Sequence, residues 1–394
     1  MQHDYDLLIG GGGLAGNCLA LSLKNSGITI ALIEAVTRQQ LHDSPAGDRA
    51  LALSAGSVIM LKKLGVWDRV KSKATPIKKI HISDKGHFGK TRLSAEKQGV
   101  DALGYVIAAR DLETPIAEMV KESGIEQYCP ARIEHLEFHD KSVHVSLQGD
   151  ALGKKIVSAK LLVGADGGQS TVRELLGIKQ RKTDYKQTAL ITTVKSTLPH
   201  NNMAYERFTA SGPLALLPID RYHSAVVWTR RHDEAENLLS SSEADFTQHL
   251  QACFGYRLGE LTLASKRLAF PLTLIRAEKM YAQRSVIIGN AVHQLHPVAG
   301  QGFNLGLRDV IQLSDRLIYQ YKKDEDLGDA SFLHDYAETR QQDHTKVIGF
   351  TNSVVKLFSN EWLPIAAIRN SGLVLLDHIP VVKTLLTKQA MGMG

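Results

Sequence analysis

The sequence contains little cysteine, and its cysteines are scattered. Cys18, Cys129 and Cys253 are odd in number, far apart in the chain and without a C-x-x-C pair. Secreted disulfide scaffolds and cysteine-based zinc sites need more cysteines at closer spacing. We therefore expect a protein of a reducing compartment, with neither a disulfide framework nor a metal site.

Long apolar runs and a strong excess of one charge are also missing. No run reaches the about 18 apolar residues that mark a membrane-spanning helix. Residues 1–5 lead directly into the first predicted strand, so we expect no signal peptide and a cytoplasmic location. The net charge of +6 over 394 residues permits peripheral contact with the inner face of a membrane. No motif indicates nucleic-acid binding.

The chain does have glycines at strand-to-helix turns, the first near its amino end. Residues 6–9 form an apolar run, residues 14–26 follow a helical pattern, and residues 29–33 form a second apolar run that ends at Glu34. Between the first run and the helix, Gly11, Gly13 and Gly16 fit G-x-G-x-x-G. Such glycines bring a pyrophosphate to the start of a helix, and the acid accepts hydrogen bonds from a ribose. This order of parts predicts a dinucleotide site.

A second glycine turn spans residues 289–304. It follows an apolar run at residues 285–288 and precedes helical spacing over residues 303–321. Gly300 and Gly302 let the backbone approach a ligand, and free N–H groups at a helix start favour an anion. The turn predicts either a site suited to the negative charge of a reduced flavin, or only a tight turn on a Rossmann-like sheet.

The middle of the chain predicts a different kind of sheet. Its apolar-rich runs are separated by turn residues, which is typical of antiparallel strands. Residues 214–217 do not alternate, so we expect both faces of that strand to be covered, one of them by an apolar substrate or by a helix. The runs are residues 80–82, 189–194, 203–209, 214–219 and 224–229, followed by helical spacing at 234–239 and 243–254.

Three motifs together resemble a known family. The two glycine turns and residues 164–173, which match D-G-x-x-S-x-x-R, are similar to the FAD-dependent aromatic hydroxylases built like p-hydroxybenzoate hydroxylase. Within that family, residues 47–54 and 296–304 resemble the ubiquinone-biosynthesis hydroxylases. Features such as residues 206–209 and 254–259 are most similar to the 2-polyprenyl-6-methoxyphenol hydroxylases.

The resemblance implies an α/β fold, in which a Rossmann-type FAD-binding domain is interwoven with an antiparallel-sheet substrate domain and followed by C-terminal helices. The FAD-binding domain is expected to comprise residues 1–75, 104–180 and 275–340, so that the chain returns to the parallel layer at residue 104. The substrate domain is expected at residues 76–103 and 181–274, and a C-terminal helical segment at residues 341–394.

The implied activity is hydroxylation of the aromatic ring of a polyprenylated phenol in ubiquinone biosynthesis. In this family reduced FAD and dioxygen form a C4a-hydroperoxide, whose distal oxygen attacks the ring. The implied electron donor is NAD(P)H bound transiently, although some ubiquinone-pathway members use a separate electron carrier. The protein must hold the ring near the flavin and exclude water. The prenyl chain length and the ring position stay open.

The implied FAD-binding residues come from the three motifs and from two arginines. Asn290 stands where most relatives have aspartate, and its amide oxygen can still accept a hydrogen bond from a ribityl hydroxyl. The full set is Gly11, Gly13, Leu14, Ala15, Gly16, Glu34, Arg49, Arg110, Asp166, Gly289, Asn290, Pro297, Gly300, Gln301, Gly302, Phe303 and Asn304.

No catalytic side chain stands out, but two residues of the second turn are candidates to face the substrate or the flavin. Pro297 stiffens the turn and can present its carbonyl oxygen. His296, like His293, titrates near neutral pH and is either a proton-transfer group or an ordinary turn residue.

Other functions on the same scaffold stay open. One is reduction of isoprenoid double bonds, another is halogenation, and a third is a non-catalytic FAD-containing assembly subunit. The W-x-W-x-I signature of halogenases does not occur around Trp67, Trp228 or Trp362.

The C-terminal segment carries a separate hypothesis. Residues 350–368 repeat apolar side chains at helical spacing, residues 373–376 add an apolar block, and Lys383 and Lys388 follow. This pattern indicates either docking to a membrane or to another ubiquinone-biosynthesis protein, or burial against the FAD domain or in a homodimer interface.

Overall fold

The computed structural model describes residues 3–86, 89–150, 152–295, 301–358 and 391–392. His296, Pro297 and Gly300 lie outside the described residues, as do the apolar block at 373–376 and most of the C-terminal segment. Among the described helices, none is both long and apolar enough to cross a membrane.

The described strands come mostly in groups that are separated by one or two helices. The strands are β1 (Tyr5–Gly10), β2 (Ile30–Ile33), β3 (Ala50–Ser54), β4 (Thr75–Ile77), β5 (Lys79–Asp84), β6 (Lys90–Ser94), β7 (Gly104–Ala108), β8 (Glu126–Tyr128), β9 (Arg132–Phe138), β10 (Val143–Gly149), β11 (Gly153–Gly164), β12 (Gln180–Ser196), β13 (Met203–Thr209), β14 (Gly212–Pro218), β15 (His223–Arg231), β16 (Leu261–Leu263), β17 (Leu268–Ala277), β18 (Tyr281–Ala282), β19 (Ser285–Ile287) and β20 (His293–Gln294). The helices are α1 (Leu14–Leu23), α2 (Arg38–Asp43), α3 (Ala55–Lys63), α4 (Trp67–Val70), α5 (Ala109–Glu122), α6 (Thr171–Leu175), α7 (His232–Ser240), α8 (Glu243–Phe254), α9 (Gln301–Lys322) and α10 (Ala330–Phe358).

The first sheet is parallel at its centre. Its strand order is β18-β19-β11-β1-β2-β8, and the hairpin of β9 and β10 extends from β11. Strands β19, β11, β1, β2 and β8 are parallel. Leu7, Leu8 and Ile9 of β1 are completely buried, as expected for a central parallel strand covered on both faces. The helices α1, α5 and α9 form one packed group beside this sheet, because α1 contacts both α5 and α9.

The second sheet confirms the antiparallel strands predicted for the middle of the chain. Its order is β20-β17-β12-β15-β14-β13-β5-β6, with β16 paired to β12. Neighbouring strands are antiparallel except for β13 and β5, which run parallel. The early strand β5 therefore joins strands that come much later in the sequence, as its periodicity indicated.

One face of β14 packs against a helix and the other lines a cavity, so the coverage predicted from the missing alternation is confirmed for one face. Leu214 and Leu216 are completely buried in an apolar cluster with Phe246 of α8. Ala215 and Leu217 lie on the opposite face and line a large cavity. The helix therefore covers one face, and the other is available to a ligand.

The segment from residue 104 differs from the expectation. Strand β7 does not join the parallel sheet but is the middle strand of a small third sheet, of order β3-β7-β4. Helix α5, which begins at Ala109, contacts α1. The chain thus returns to the parallel layer one element later than predicted, because periodicity identifies a strand but not its partners.

Local signals in the sequence fix both ends of α3. The hydroxyl of Ser54 accepts a hydrogen bond from the backbone N–H of Ser57 at 3.2 Å, which satisfies one free donor of the first turn. Just beyond the helix, Gly65 adopts a φ of 73°, a left-handed conformation that ends helices at little cost for glycine.

Candidate functional site

A cavity of about 1930 Å³ lies between the carboxyl ends of the parallel strands and one face of the antiparallel sheet. Its walls include Gly11 after β1, Glu34 after β2, Asp166 after β11 and Gly289 after β19. Carboxyl ends of parallel strands are the usual ligand position in such sheets. Since pockets of roughly 300–1,000 Å³ hold a drug-sized ligand, this cavity has room for a dinucleotide and a second molecule.

The first glycine turn packs too tightly for side chains at some positions and opens to the cavity at others. Gly11 has a φ of 108°, and a Cβ there would lie 2.6 Å from the carbonyl carbon of Ala165. A Cβ on Gly16 would overlap the carbonyl oxygen of Gly11. Gly13 has open space around it and starts α1 without a side-chain cap. The N–H groups at the start of α1 therefore remain for an anionic ligand.

Glu34 is held in a fixed orientation at the rim of this turn. Its Oε2 accepts a hydrogen bond from the N–H of Gly12 at 2.6 Å, and its Oε1 accepts one from the N–H of Val36 at 2.8 Å. The residue also lines the cavity, next to Leu14 and Ala15. Because each carboxylate oxygen has a second lone pair, Glu34 can still accept hydrogen bonds from ribose hydroxyls.

The second glycine turn meets the first from the opposite side. A Cβ on Gly289 would lie 3.2 Å from the Cβ of Ala15, so the two turns are in contact. Asn290, Gln301, Gly302 and Phe303 line the same cavity. Within the part of the chain that the structure describes, no atom lies within 4 Å of the position where a Cβ on Gly302 would be. The start of α9 is therefore open to the cavity at Gly302.

The third motif links these turns. Asp166 lines the cavity, and its carboxylate accepts hydrogen bonds from the N–H of Val172 at 3.0 Å and the hydroxyl of Ser170 at 2.5 Å. Arg173 is buried and donates to the carbonyl oxygens of Ala291 at 2.8 Å and Gly168 at 2.9 Å. The motif's arginine thus fixes the Asp166 turn to the Gly289 turn.

Asn304 lines the cavity, but its side-chain amide forms hydrogen bonds with other residues of the protein. Its Oδ1 accepts hydrogen bonds from the N–H of Ser54 at 3.0 Å and from the hydroxyl of Ser57 at 2.7 Å. Its Nδ2 donates to the carbonyl oxygen of Ala52 at 3.0 Å. These contacts join α9 to the start of α3, so Asn304 shapes the wall by holding β3 in place.

The two arginines occupy different places. Arg49 lines the cavity, whereas Arg110 is not among the lining residues. The Arg110 guanidinium pairs with Asp48 at 2.8 Å and donates to the carbonyl oxygen of Ser44 at 3.2 Å. It therefore holds the connector between β2 and β3.

Glu113 lines the cavity one helical turn beyond Arg110, and sequence reasoning missed it. Burial raises the pKa of the Glu113 carboxyl, and the charges of Arg49 and Arg110 only partly offset this effect. The signal that could have found it is the i, i+3 spacing from Arg110, which places both residues on one face of α5.

A buried ion cluster lies behind the second turn. Asp309 of α9 is completely buried and accepts hydrogen bonds from Arg340 and His344 of α10, each at 2.7 Å. Burial alone would raise the pKa of Asp309, but the charge and hydrogen bond of His344, the nearby His293 and the charge of Arg340 hold that pKa well below its usual value. The carboxylate is therefore ionised.

His293 belongs to this cluster and not to the cavity wall. It is completely buried, with Nε2 3.5 Å from Oδ2 of Asp309, and burial lowers its pKa. The donor atoms of His293, Asp309 and His344 lie within 4.8 Å of one another, which is close enough for a metal ion. Asp309 already neutralises Arg340, however, so an added cation would meet a site that has no spare negative charge.

The antiparallel sheet gives the cavity an apolar wall. The lining residues of this wall are Ile80, Ile82, Thr91, Leu93, Ala189, Ile191, Ala204, Tyr205, Glu206, Phe208, Ala215, Leu217, Val227, Phe270, Pro271 and Leu272. Apolar side chains predominate, and Glu206 interrupts them with a carboxyl group. Sequence reasoning used Glu206 only as part of a family motif. An acid on a strand face otherwise covered by apolar residues is the signal that singles it out.

Comparisons with known proteins agree with this geometry. The model of the FAD binding domain family matches residues 4–351. The ubiquinone hydroxylase UbiL of Rhodospirillum rubrum is 33% identical over 393 residues, covering 98% of this chain and 89% of the relative. The 3-demethoxyubiquinol 3-hydroxylase of Escherichia coli is 29% identical over 391 residues, covering 98% of each. The p-nitrophenol 4-monooxygenase PnpA of Pseudomonas putida has a TM-score of 0.80 at 19% identity, covering 99% of both chains. The structural likeness confirms the expected fold.

Proposed function

Because the chain belongs to the family of FAD-dependent monooxygenases that includes the ubiquinone hydroxylases, we propose that it hydroxylates the aromatic ring of a polyprenylated phenol in ubiquinone biosynthesis. The expected FAD cofactor and monooxygenase class are confirmed by the family match. The observation that carries the substrate class is the apolar sheet wall opposite the glycine turns. A prenyl chain needs such a wall, because its burial gains about 0.8 kcal/mol for each CH₂ group removed from water.

We assign the finer substrate as a 2-polyprenyl-6-methoxyphenol. The motif features at residues 206–209 and 254–259 support this choice. The names of the relatives describe hydroxylation of ubiquinone precursors, in one case 3-hydroxylation of 3-demethoxyubiquinol. Hydroxylation at that other ring position is the competing assignment within the same family.

The residues around the two glycine turns fit FAD. The start of α1, with Gly11, Gly13, Leu14, Ala15 and Gly16, would hold the pyrophosphate, because the helix starts without a side-chain cap and a Cβ on Gly13 would meet no atom of the described residues within 4 Å. Glu34 would accept hydrogen bonds from the adenosine ribose. The segment after β19 would surround the isoalloxazine ring, and its proposed contacts are Gly289, Asn290, Pro297, Gly300, Gln301, Gly302 and Phe303, with Arg49 and Asp166 beside them. Asn304 and Arg110 would support the site indirectly, because their side chains are bonded to protein.

The chemistry divides between cofactor and protein. When bound, FAD supplies the activated oxygen, with NAD(P)H as the proposed transient donor. The described residues orient the ring against the glycine turn, and the apolar wall excludes water from it. Pro297 and His296 are the proposed substrate-facing residues of the turn.

The proposed domain arrangement keeps the sequence boundaries. Residues 1–75, 104–180 and 275–340 form the FAD-binding domain, and residues 76–103 and 181–274 form the substrate domain. The segment 341–394 is proposed to bring the enzyme to a membrane or to another ubiquinone-biosynthesis protein, since a polyprenyl phenol is too apolar to diffuse through water.

The test is a single turnover with labelled oxygen. FAD-loaded protein reduced with dithionite is mixed with ¹⁸O₂ and 2-geranyl-6-methoxyphenol, and the products are analysed by mass spectrometry. The proposal expects a product that has gained one labelled oxygen atom on the ring. A product that has gained two hydrogens would identify an isoprenoid reductase, and hydrogen peroxide alone would identify a non-catalytic flavoprotein. Either outcome overturns the proposal.

A further inference from the structure

The apolar wall of the cavity contains one carboxyl group. Among the described residues of the antiparallel sheet that line the cavity, Glu206 is the only acidic or basic one. It lies in a cross-strand row whose members share one face of the sheet. The row runs Thr91, Ile82, Glu206, Ala215, Val227 and Ile191.

Charged groups that could neutralise Glu206 lie elsewhere. The directly paired residues are Ile82 and Ala215, which carry no charge. The neighbouring Arg207 points to the opposite face, because successive side chains alternate along a strand. The other charged residues that line the cavity come from outside this sheet, and they are Glu34, Arg49, Glu113, Arg132, Glu134, Asp150 and Asp166.

The surrounding protein removes most water from the carboxyl group of Glu206, but a ligand in the cavity can still reach this group. Its side chain is only partly exposed, and it has no hydrogen bond or ion pair among the described residues. Burial raises the pKa of its carboxyl to about 7. A buried carboxyl without a partner costs folding free energy. Such a group in a ligand cavity indicates that a ligand supplies the missing hydrogen bond.

We propose that Glu206 accepts a hydrogen bond from the phenolic hydroxyl of the substrate and takes its proton as the ring is oxygenated. This assignment rests on the proposed function. A phenolic hydroxyl is a donor attached to an apolar ring, so it matches the one carboxyl group among the described residues of this wall. The hydroxyl groups of Thr91 and Tyr205 cannot take up the phenolic proton near neutral pH. A polyprenyl chain offers no other donor to this wall.

Transfer of this proton to Glu206 completes the electron and proton balance of the oxygenation. As the new C–O bond forms, the ring carbon donates an electron pair to an oxygen atom derived from dioxygen. The electrons of the phenolic O–H bond form a C=O bond, and the released proton passes to the Glu206 carboxylate. Loss of the hydrogen on the oxygenated carbon as a second proton restores the aromatic ring. The other oxygen atom leaves as water, with both electrons supplied by the flavin's reductant.

The test compares binding of two probes that differ only at the hydroxyl. Equilibrium dialysis of the oxidised FAD-loaded protein is performed with 2-geranyl-6-methoxyphenol and with its O-methyl ether, without an electron donor. The wild type should prefer the phenol by roughly 10- to 100-fold, the range for a hydrogen bond to a charged acceptor. Glu206→Ala should reduce the preference to within about threefold. Glu118→Gln, which changes an exposed glutamate of α5, is the matched control and should keep the wild-type preference.

The pH dependence of the phenol preference shows whether Glu206 acts as a proton acceptor or only through the shape of its side chain. In the wild type, preference for the phenol should increase as pH rises through about 7, because the carboxylate becomes ionised. Glu206→Gln keeps an acceptor oxygen but cannot ionise or take a proton. It should retain part of the preference, lose the pH dependence, and slow single-turnover hydroxylation by roughly 10²-fold.

The outcomes distinguish this inference from the proposed function. If Glu206→Ala keeps its flavin and fold but retains the wild-type preference, Glu206 is not the acceptor and the inference fails alone. If the wild type neither binds nor hydroxylates the phenol, both fail. If the alanine variant does not fold, a Glu206→Gln variant with unchanged pH dependence and rate overturns the inference instead.

Discussion

The backbone N–H of Gly289 donates a hydrogen bond to Oδ2 of Asp309 at 3.1 Å. The other carboxylate oxygen of Asp309 accepts from Arg340 and His344. One buried carboxylate therefore connects the second glycine turn, α9 and α10. The shape of the turn depends on a residue that does not line the cavity.

Asp309→Asn should destabilise the protein and loosen the turn. The amide cannot neutralise Arg340, which would keep only its ion pair with the partly exposed Asp343. Breaking a buried ion pair costs about 3–5 kcal/mol. Urea denaturation should show that loss in the free energy of unfolding, and dialysis should show faster release of flavin. Asp343→Asn is the control, because Asp343 is partly exposed and pairs at the edge of the cluster. Equal stability of the two variants would contradict the central role of Asp309.

Acid should destabilise the protein through His81. Burial and then the charges of Arg257, Arg92, Lys90 and Arg207 lower the pKa of His81 to about 4. The pKa of a histidine in the unfolded chain is about 6.5. Below that pH, the unfolded chain therefore binds a proton that the folded chain excludes. The contribution of His81 to stability should fall as pH decreases from about 6.5 to about 4. Glu206, whose pKa is raised to about 7, contributes with the opposite sign, so the effect of His81 is measured as the difference between the wild type and a His81 variant. His81→Gln should flatten this part of the stability curve. A curve parallel to that of the wild type would show that His81 is not responsible.

Glu34→Ala should weaken FAD binding by about 1.5–3 kcal/mol, the value of a charge-assisted hydrogen bond. Flavin release on dilution, followed by fluorescence, measures the change. Because Glu34 also holds Gly12 and Val36, Glu34→Gln should show an intermediate loss. Flavin retention equal to that of the wild type in the alanine variant would rule out the ribose assignment.

Gly302→Val should separate folding from flavin binding. A side chain at Gly302 meets no atom of the described residues within 4 Å, so the apoprotein should unfold at nearly the wild-type temperature. The same side chain would occupy space proposed for the isoalloxazine ring, so flavin content should collapse. Gly349→Val is the control, since Gly349 is also helical and, among the described residues, has no atom within 4 Å of the position of a Cβ. Full flavin content in Gly302→Val would refute this assignment of the second turn.

Replacing Leu373, Leu375 and Leu376 with glutamate should abolish membrane docking without loss of flavin. Deleting the whole tail is less informative, because the carbonyl oxygen of Met391 accepts a hydrogen bond from Gly56 at 2.8 Å. Sedimentation with vesicles that contain anionic phospholipid should show at least about tenfold weaker binding. If the variant instead unfolds or releases flavin, these residues are core and docking must involve another surface.

Local patterns predicted most of the elements and the surroundings of the site. The glycine turns at Gly11 and Gly289 were predictable because strand, turn and helix follow one another directly in the sequence. The unbroken apolar run of β14 indicated that neither face of this strand is an ordinary solvated surface. Each of these signals lies within about twenty residues of chain.

Properties that depend on distant partners were not predictable. The strand partners of β7, the pairing of Arg110 with Asp48, and the isolation of Glu206 all depend on which segments the fold brings together. Asn304 shows the same limit. Its motif indicated a ligand contact, but its amide is occupied by Ser54 and Ser57, which lie far away in the sequence.

The position of β11 in the parallel sheet affects how the chain folds while it is being synthesised. Strand β11 pairs with β1 on one side, Tyr5 opposite Ala159, and with β19 on the other, Leu162 opposite Ser285. Pairings over such distances in the chain fold slowly, because a long loop must close before the contact forms. While the ribosome is still making the middle of the chain, β1 exposes Leu7, Leu8 and Ile9 without its main partner. A nascent chain that stops before Ser285 will present an open apolar strand edge and aggregate.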